Sequence, residues 1–263
     1  MKIESNGVTL HVAVDGPAGA PSVTFLTGIA NDHTLWDAQV PALANEYRVI
    51  RIDSRGHGLS TSSPPPYTLA TLVDDVLAVW NKKGVERSCL VGLGLGGIVA
   101  AEVALAHPER VSKLVPVSCR AQMTPQYAAI WPPLVEAAVK GGVVAISEMT
   151  IERWFAEPFR ATNPKIIHHV RQAILRTSLN GYRGCIAAIQ TLGFADRLSQ
   201  FKMPVMYVSG ELDQVGAPPA VMQAMCDATP GARHVVLPGA THISTICNPL
   251  AFNTALRDFL RDG

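Results

Sequence analysis

The sequence predicts an α/β protein with a mostly parallel central sheet and helices on both faces. Short apolar, β-branched runs bounded by turn residues alternate with segments whose apolar residues recur at helical spacing. This alternation is typical of parallel sheets, because each crossover helix packs on one face of the sheet. The 263 residues, 48% of them hydrophobic and 16% charged, are enough for one large α/β domain with a buried core.

The elements follow from these patterns in chain order. Residues 1–15 predict two short strands around the turn at Asn6-Gly7. Buried strands are predicted at 22–26, 48–52, 90–91, 114–117, 205–208 and 235–237. Amphipathic or apolar helices are predicted at 69–82, 95–106, 219–228 and 249–260.

One stretch breaks the alternation of strands and helices. Residues 121–200 show several helical segments, two tryptophans and no clear strand pattern. An all-helical insertion between two strands predicts a cap over the carboxyl edge of the sheet, where open α/β sheets bind their ligands. We therefore expect an α/β core made of residues 1–120 and 201–263, and a helical cap made of residues 121–200.

Bulk composition excludes several classes of function. A formal net charge of +1 gives no electrostatic reason to expect nucleic acid or an anionic membrane as a partner. The N-terminus lacks the apolar region of a signal peptide, and no apolar run approaches the length of a membrane span. Five widely spaced cysteines predict free thiols in a cytoplasmic protein, with neither disulfides nor a zinc site. The sequence does not predict the oligomeric state.

The stretch GLGLGG at residues 92–97 lies between a predicted strand and a predicted helix. It matches the dinucleotide fingerprint G-x-G-x-x-G, which also requires an acidic residue at the end of the next strand. That strand ends in Val117-Ser118-Cys119, without a carboxylate. The stretch also matches the hydrolase nucleophile elbow G-x-S-x-G, with Gly94 in place of the serine.

The elbow hypothesis requires an acid and then a histidine, each after a later strand. Asp213 follows the predicted strand at 205–208, and His242 follows the one at 235–237. Glu211 is the competing carboxylate on the same turn as Asp213. The chain order therefore favours the hydrolase elbow over a nucleotide site.

Six segments then carry a resemblance to a known family. They are RIDSRGHGLS at 51–60, GLGLGG at 92–97, HPERV at 107–111, RWF at 153–155, SGELD at 209–213 and GATHIS at 239–244. In this order they span nearly the whole chain, which resembles the α/β-hydrolase superfamily and, within it, the group of 3-oxoadipate enol-lactonases. The chain departs from that family at Gly94, which replaces the serine, and at Thr27, which replaces a common histidine.

The resemblance implies an α/β-hydrolase fold, a small ester or lactone substrate and no cofactor. It implies that His242 is the general base and that Asp213 holds and stabilises its imidazole. The backbone N–H groups of Ile29 and Leu95 would form the oxyanion hole. Asp213 fits the spacing of the family better than Glu211.

Other candidate residues have two interpretations each. Trp131, Trp154 and Phe155 are expected either to line the cap side of the pocket or only to pack within the cap. Arg120 and Arg153 are expected either to bind a substrate carboxylate or to remain solvated charges.

The remaining histidines are not expected to be catalytic. His57 is interpreted as part of a structural turn. His33, His168 and His169 are interpreted as surface or cap residues, because no second ligand lies at metal-binding spacing. The sequence therefore predicts no metal site.

Glycine at position 94 has a defined consequence. Glycine adopts the strained backbone of an elbow freely, so the fold is expected to tolerate it. The hydroxyl that would form an acyl-enzyme is missing. We favour an esterase or lactonase deliberately inactivated by replacing its serine with glycine, to capture bound substrate or product; a natural glycine, with the His242–Asp213 pair activating a water, stays open. The alternatives are a non-catalytic small-molecule binder, and a carbon–carbon hydrolase or cofactor-free oxygenase that depends on the histidine.

Overall fold

The computed structural model describes residues 1–214 and 216–262. Within them the chain forms eight β-strands: β1 Lys2–Ser5, β2 Val8–Asp15, β3 Ser22–Leu26, β4 Arg48–Ile52, β5 Ser88–Leu93, β6 Val111–Val117, β7 Met206–Gly210 and β8 Arg233–Leu237. They make one sheet in the order β1-β2-β4-β3-β5-β6-β7-β8. All eight lie where the sequence predicts strands, which confirms the predicted fold class.

The sheet is parallel except at one end. β1 pairs with β2, and β2 with β4, in antiparallel register, whereas all other neighbours are parallel. Leu26 at the end of β3 pairs with Gly92 in β5, and Gly210 at the end of β7 pairs with Leu237 at the end of β8. The turns that follow these four strands therefore emerge at the same edge of the sheet.

Helices connect the strands. They are α1 Val40–Leu43, α2 Leu69–Lys83, α3 Leu95–Ala106, α4 Pro125–Ala128, α5 Trp131–Gly141, α6 Ser147–Trp154, α7 Glu157–Thr162, α8 Pro164–Leu175, α9 Leu179–Ile189, α10 Pro219–Asp227, α11 Ser244–Cys247 and α12 Pro249–Arg261. The four predicted helices agree with α2, α3, α10 and α12 to within one residue at each end. α2 begins after Thr68, whose hydroxyl accepts from the Thr71 N–H, and ends at the left-handed Gly84.

Helices α4–α9 all lie between β6 and β7. Within residues 121–200, all of which the structure describes, the only β-type pairing is an isolated antiparallel bridge between Gln122 and Gly193. The division into a core and a cap at residues 121–200 stays a prediction. Residues 215 and 263, in the predicted second part of the core, lie outside the described residues.

The core lies on both sides of the sheet and includes the fully buried rings of Phe25, Trp36, Trp80 and Tyr207. The Trp80 indole N–H donates to the hydroxyl of Thr24 over 2.9 Å, so its polar atom is satisfied inside the core. None of the described helices is long and apolar enough to cross a membrane.

Candidate active site

Gly94 alone connects β5 to α3, because the strand ends at Leu93 and the helix begins at Leu95. Its backbone has φ +56° and ψ −117°, a conformation that L side chains rarely adopt. Its N–H donates to the Val117 carbonyl over 2.9 Å, and its carbonyl accepts from the Ile98 N–H over 3.1 Å. The turn is therefore sharp, fixed at both sides and shaped like a nucleophile elbow.

The space around Gly94 is open. A Cβ built on its backbone would meet nothing closer than the Gly28 Cα at 3.9 Å and the Nε2 of His242 at 4.0 Å. A hydroxyl one bond beyond that Cβ could come within hydrogen-bond reach of Nε2. The site thus has room for a serine side chain, in the direction from which a base could take its proton.

Asp213 and His242 are brought together from the ends of β7 and β8. The Nδ1 of His242 lies 3.0 Å from the Oδ2 of Asp213, whose side chain is completely buried. With the carboxylate as acceptor, Nδ1 carries the proton and Nε2 is left as an acceptor towards Gly94. This is the arrangement of a general base held by an acid.

The Asp213 carboxylate is held by the backbone of its own turn. It accepts hydrogen bonds from the N–H groups of Gly216 at 3.1 Å and Ala217 at 3.3 Å. The carbonyl of Gly216 in turn accepts from the Nε of Arg120. The guanidinium of Arg120 also lies over the ring of Tyr127, 4.7 Å from its centroid. Arg120 is therefore bonded to the turn that supports Asp213, and it is absent from the described residues lining the cavity beside His242.

The two residues predicted for the oxyanion hole, Ile29 and Leu95, both line that cavity. Within the described residues, neither backbone N–H has a hydrogen-bond acceptor. The N–H of Leu95 is free because it belongs to the first turn of α3, where helical N–H groups have no partner inside the helix. Two free N–H groups near Gly94 match the donors that an oxyanion would need.

The cavity has about 560 Å³ of space, including its open mouth. It is lined by Gly28, Gly94 and His242 from the turns after the strands, and also by residues from the helices between β6 and β7. Trp131 and Trp154 belong to the second group, and the Trp154 ring lies 6.5 Å from the ring of His242. No serine or cysteine is among the described residues that line it.

Arg153, in α6, is the arginine among the described residues that line the cavity. It is half-buried, and within the described residues its guanidinium has neither an ion pair nor a hydrogen bond. Burial lowers its pKa, and Tyr182 and Tyr127 are the groups whose charges act on it. An arginine stays protonated in proteins, so the cavity contains a positive charge that no carboxylate of the described residues pairs with.

Phe155 is placed differently from its neighbour Trp154. It is 1% exposed and stacks on Phe159, with ring centroids 5.3 Å apart and an interplanar angle of 13°. It is not one of the described residues lining the cavity. Its side chain points away from the substrate space because consecutive residues at the end of α6 face different sides.

The histidines with no predicted catalytic role have structural partners or are exposed. His57 is buried and its Nδ1 lies 3.1 Å from the Arg55 carbonyl; burial lowers its pKa. His168 and His169 are exposed on α8. Among the described residues, His11, His33 and Asp53 form a cluster of metal-ligand type.

Hydrogen bonds account for that cluster. The Nδ1 atoms of His11 and His33 lie 3.0 and 2.9 Å from the two oxygens of Asp53, and the N–H groups of His33 and Leu59 donate to the same carboxylate. The cluster leaves no local signal in the sequence, because His11 and Asp53 are 42 residues apart.

The chain belongs to the α/β hydrolase fold family, whose model matches residues 21–249. Its relatives include hydrolases that act on small molecules. The chain is 26% identical over 259 residues to 3-oxoadipate enol-lactonase 2 of Acinetobacter baylyi, which covers 98% of this chain and 96% of that protein.

Solved structures give the same result. The enol-lactonase from Burkholderia xenovorans LB400 matches with a TM-score of 0.95 and 30% identity, over 100% of both chains. A hydrolase from Pseudomonas aeruginosa PA01 matches with a TM-score of 0.93 and 31% identity, over 99% of this chain and 97% of that one. The resemblance inferred from the motifs is thereby confirmed.

Proposed function

We propose that this chain is a hydrolase of small carboxylic esters or lactones in which glycine at the nucleophile position leaves activity impaired. One observation carries the proposal. Gly94 has the backbone of an elbow and room for a side chain, and a Cβ there would lie 4.0 Å from the Nε2 of a histidine bonded to a buried aspartate. The names of the enol-lactonase relatives support the same class of reaction.

With serine at position 94, the chemistry follows from the geometry. The serine oxygen bonds to the substrate carbonyl carbon while its proton passes to Nε2 of His242, and Asp213 stabilises the imidazolium. The N–H groups of Ile29 and Leu95 stabilise the negative carbonyl oxygen. The C–O bond of the ester then breaks and Nε2 returns its proton to the leaving oxygen. Water repeats the sequence on the acyl-enzyme.

With glycine at position 94, no acyl-enzyme can form there. The space next to Nε2 can hold a water, whose proton passes to His242 as its oxygen attacks the carbonyl carbon. Loss of the nucleophile in triad enzymes leaves roughly 10³–10⁴-fold acceleration over water, from the oxyanion hole and binding. We therefore expect slow hydrolysis at most in the native chain.

Arg153 defines the substrate class more closely. Its guanidinium, which has no ion pair or hydrogen bond within the described residues, lines the same cavity as Gly94. A substrate with its ester or lactone carbonyl at Gly94 and a carboxylate at the other end would pair with it. A lactone made from an oxo-dicarboxylic acid, such as the one in the names of the relatives, keeps one free carboxylate and fits this description.

A second candidate is a protein that binds such a carboxylate without converting it. The observation that favours it is the same cavity, with its unpaired Arg153 and with no serine or cysteine among the described lining residues. Chemistry that depends on the histidine alone, such as carbon–carbon bond hydrolysis or a cofactor-free oxygenation, would be abolished by His242→Ala, whereas binding would remain. The cytoplasmic location stays a prediction based on free thiols.

The test compares the native chain, Gly94→Ser and Gly94→Ala on a panel of esters and lactones that includes 3-oxoadipate enol-lactone. We expect Gly94→Ser to raise kcat/KM by about 10³-fold or more, because the acyl-enzyme route is restored. Gly94→Ala adds the Cβ without the hydroxyl and should give no gain. Hydrolysis by the native chain at the rate of Gly94→Ser would refute the proposal; ligand binding without turnover by either form would favour the binder.

A further inference from the structure

An ion pair joins the helices between β6 and β7 to the turn at residues 28–34, which carries Ile29. Arg176 directly follows α8, and its Nε and Nη2 both donate to the Oδ2 of Asp32, at 2.9 and 2.6 Å. The Asp32 side chain is only 1% exposed, whereas that of Arg176 is 37% exposed. The two residues are 144 positions apart in the sequence. The pair therefore connects two distant parts of the chain directly above the sheet edge.

Residues 28–31, the part of the turn at residues 28–34 that carries Ile29, are held only by long hydrogen bonds of their own. The Asn31 N–H reaches the Gly28 carbonyl at 3.3 Å, and the Asn31 side-chain amide reaches the Ile29 carbonyl at 3.3 Å. Ala30 has φ +60°, in the left-handed region that costs a residue with a Cβ free energy. A segment with long internal bonds and one strained residue depends on the residues around it for its position.

Asp32 and His33, which follow this segment, are both bonded to other parts of the chain. His33 donates its backbone N–H to Asp53 at 2.6 Å, which fixes the end of the turn to the segment after β4. Asp32 is held by Arg176. The other oxygen of Asp32 accepts the Thr34 N–H at 3.1 Å, so the carboxylate is bonded on both sides.

The chain around Arg176 is itself fixed to the core. The Ser178 N–H donates to the Gly56 carbonyl over 2.8 Å. Gly56 and Gly181 are so close that a Cβ on Gly56 would lie 2.3 Å from the Gly181 Cα. Arg176 therefore acts from a rigid junction between α8 and α9.

We propose that Arg176 is a positioning residue for hydrolysis: through Asp32 it holds the turn so that the Ile29 N–H points into the cavity. This inference rests on the proposed function, because it concerns the oxyanion donor of that reaction. If Arg176 is removed, Asp32 loses its counter-ion while buried. The turn must then shift until the carboxylate reaches water, and the Ile29 donor moves with it. Oxyanion donors act on the transition state, so the loss falls on kcat and leaves KM nearly unchanged.

The kinetic test uses Arg176→Gln and Arg176→Lys, each combined with Gly94→Ser. We expect Arg176→Gln to lower kcat about 10–100-fold and to leave KM within about threefold. This loss in kcat is no larger than the loss that follows removal of a whole oxyanion donor. Arg176→Lys keeps a donor and a charge and should recover part of kcat. Arg171→Gln is the matched control: it removes an arginine of α8 whose partner, Glu148, is exposed and lies outside the turn at residues 28–34. Its kcat should not change.

The same Arg176 and Arg171 variants, made in the chain that keeps Gly94, allow a measurement that does not depend on catalytic activity. Hydrogen–deuterium exchange should become faster in the peptide covering residues 28–35 of Arg176→Gln, and stay unchanged there in Arg171→Gln. Unchanged kcat and unchanged exchange in Arg176→Gln would overturn the inference. If Gly94→Ser alone shows no hydrolysis, the proposed function fails, and faster exchange at 28–35 would still support the coupling between Arg176 and the turn.

Discussion

Gly216 lies directly against the imidazole of His242. A Cβ built on its backbone would be 2.1 Å from the Cε1 and 2.4 Å from the Nδ1 of that ring. The N–H of the same glycine donates to the carboxylate of Asp213 over 3.1 Å. One residue thus holds the acid through its backbone and leaves space for the base by having no side chain.

We predict that Gly216→Ala displaces the imidazole and disables the histidine. In the Gly94→Ser background, kcat/KM should fall by at least about 10²-fold, because an ångström-scale displacement of a catalytic group is enough for such a loss. Gly19→Ala is the control, since a Cβ there meets no atom within 4 Å. Kinetics and thermal unfolding of both variants check this. Equal activity of Gly216→Ala and its parent would show that the ring position is not critical.

Asp213→Asn, made in the Gly94→Ser background, tests the acid. An asparagine can donate its amide to Nδ1, which favours the tautomer protonated on Nε2 and removes the base. Such a change costs roughly 10⁴-fold in kcat in a serine protease triad. Glu211→Gln is the control, because that exposed carboxylate bonds to the Gly239 N–H and not to His242. A larger loss from Glu211→Gln than from Asp213→Asn would reverse the assignment.

Arg153→Gln should discriminate between substrates. For a substrate with a carboxylate we expect KM to rise about 10–100-fold, from the loss of a charged hydrogen bond of roughly 1.5–3 kcal/mol. For a neutral ester of similar size KM should stay within about threefold. Arg160→Gln is the control, since Arg160 pairs with Glu152 and is not among the described lining residues. KM values measured for the two substrate types show whether Arg153 binds a substrate carboxylate. An equal rise of KM for both types would argue against a carboxylate site.

Because the thiol of Cys185 is buried, we predict that the free energy of unfolding depends on pH. Burial raises the pKa of its thiol to about 12, whereas an unfolded thiol ionises near pH 8.5. Below about pH 8 both states are protonated, and above it only the unfolded state releases a proton. The native chain should therefore lose up to about 1.4 kcal/mol of unfolding free energy per pH unit relative to Cys185→Ala.

Urea unfolding of the native chain and Cys185→Ala at pH 7.5, 9 and 10 checks that prediction. The difference in unfolding free energy between the two should be largest at pH 7.5 and shrink at pH 9 and 10. A difference that stays constant over this range would mean that the thiol of the folded protein ionises as readily as that of the unfolded chain.

Much of the fold follows from local patterns. The alternation of β-branched runs and helical segments predicts every strand, although β5 extends over Ser88–Leu93 where only 90–91 was predicted. Ser88, Cys89 and Gly92 are small or polar, so the apolar pattern does not extend the strand over them. The proximity of Asp213 and His242 also follows from the sequence, because parallel strands end at one edge.

Tertiary packing decides the rest of the site. Arg120 and Arg153 are equivalent candidates by sequence, yet the fold bonds the first to Gly216 and leaves the second unpaired in the cavity. The partnership of Arg176 and Asp32 spans 144 residues and leaves no local signal. Gly216 leaves space for the imidazole of His242 because it has no side chain. This role is evident only from the position of His242 in the fold.

The most direct test of the assignment of position 94 is covalent trapping. Gly94→Ser and the native chain are treated with a fluorophosphonate, which modifies activated serines, and the adduct is located by mass spectrometry. We predict one adduct per chain, on the residue at position 94, with none on the native chain and none when His242→Ala is added to Gly94→Ser. An adduct on another residue, or an unmodified Gly94→Ser chain, would contradict the central claim that position 94 is the nucleophile position beside His242.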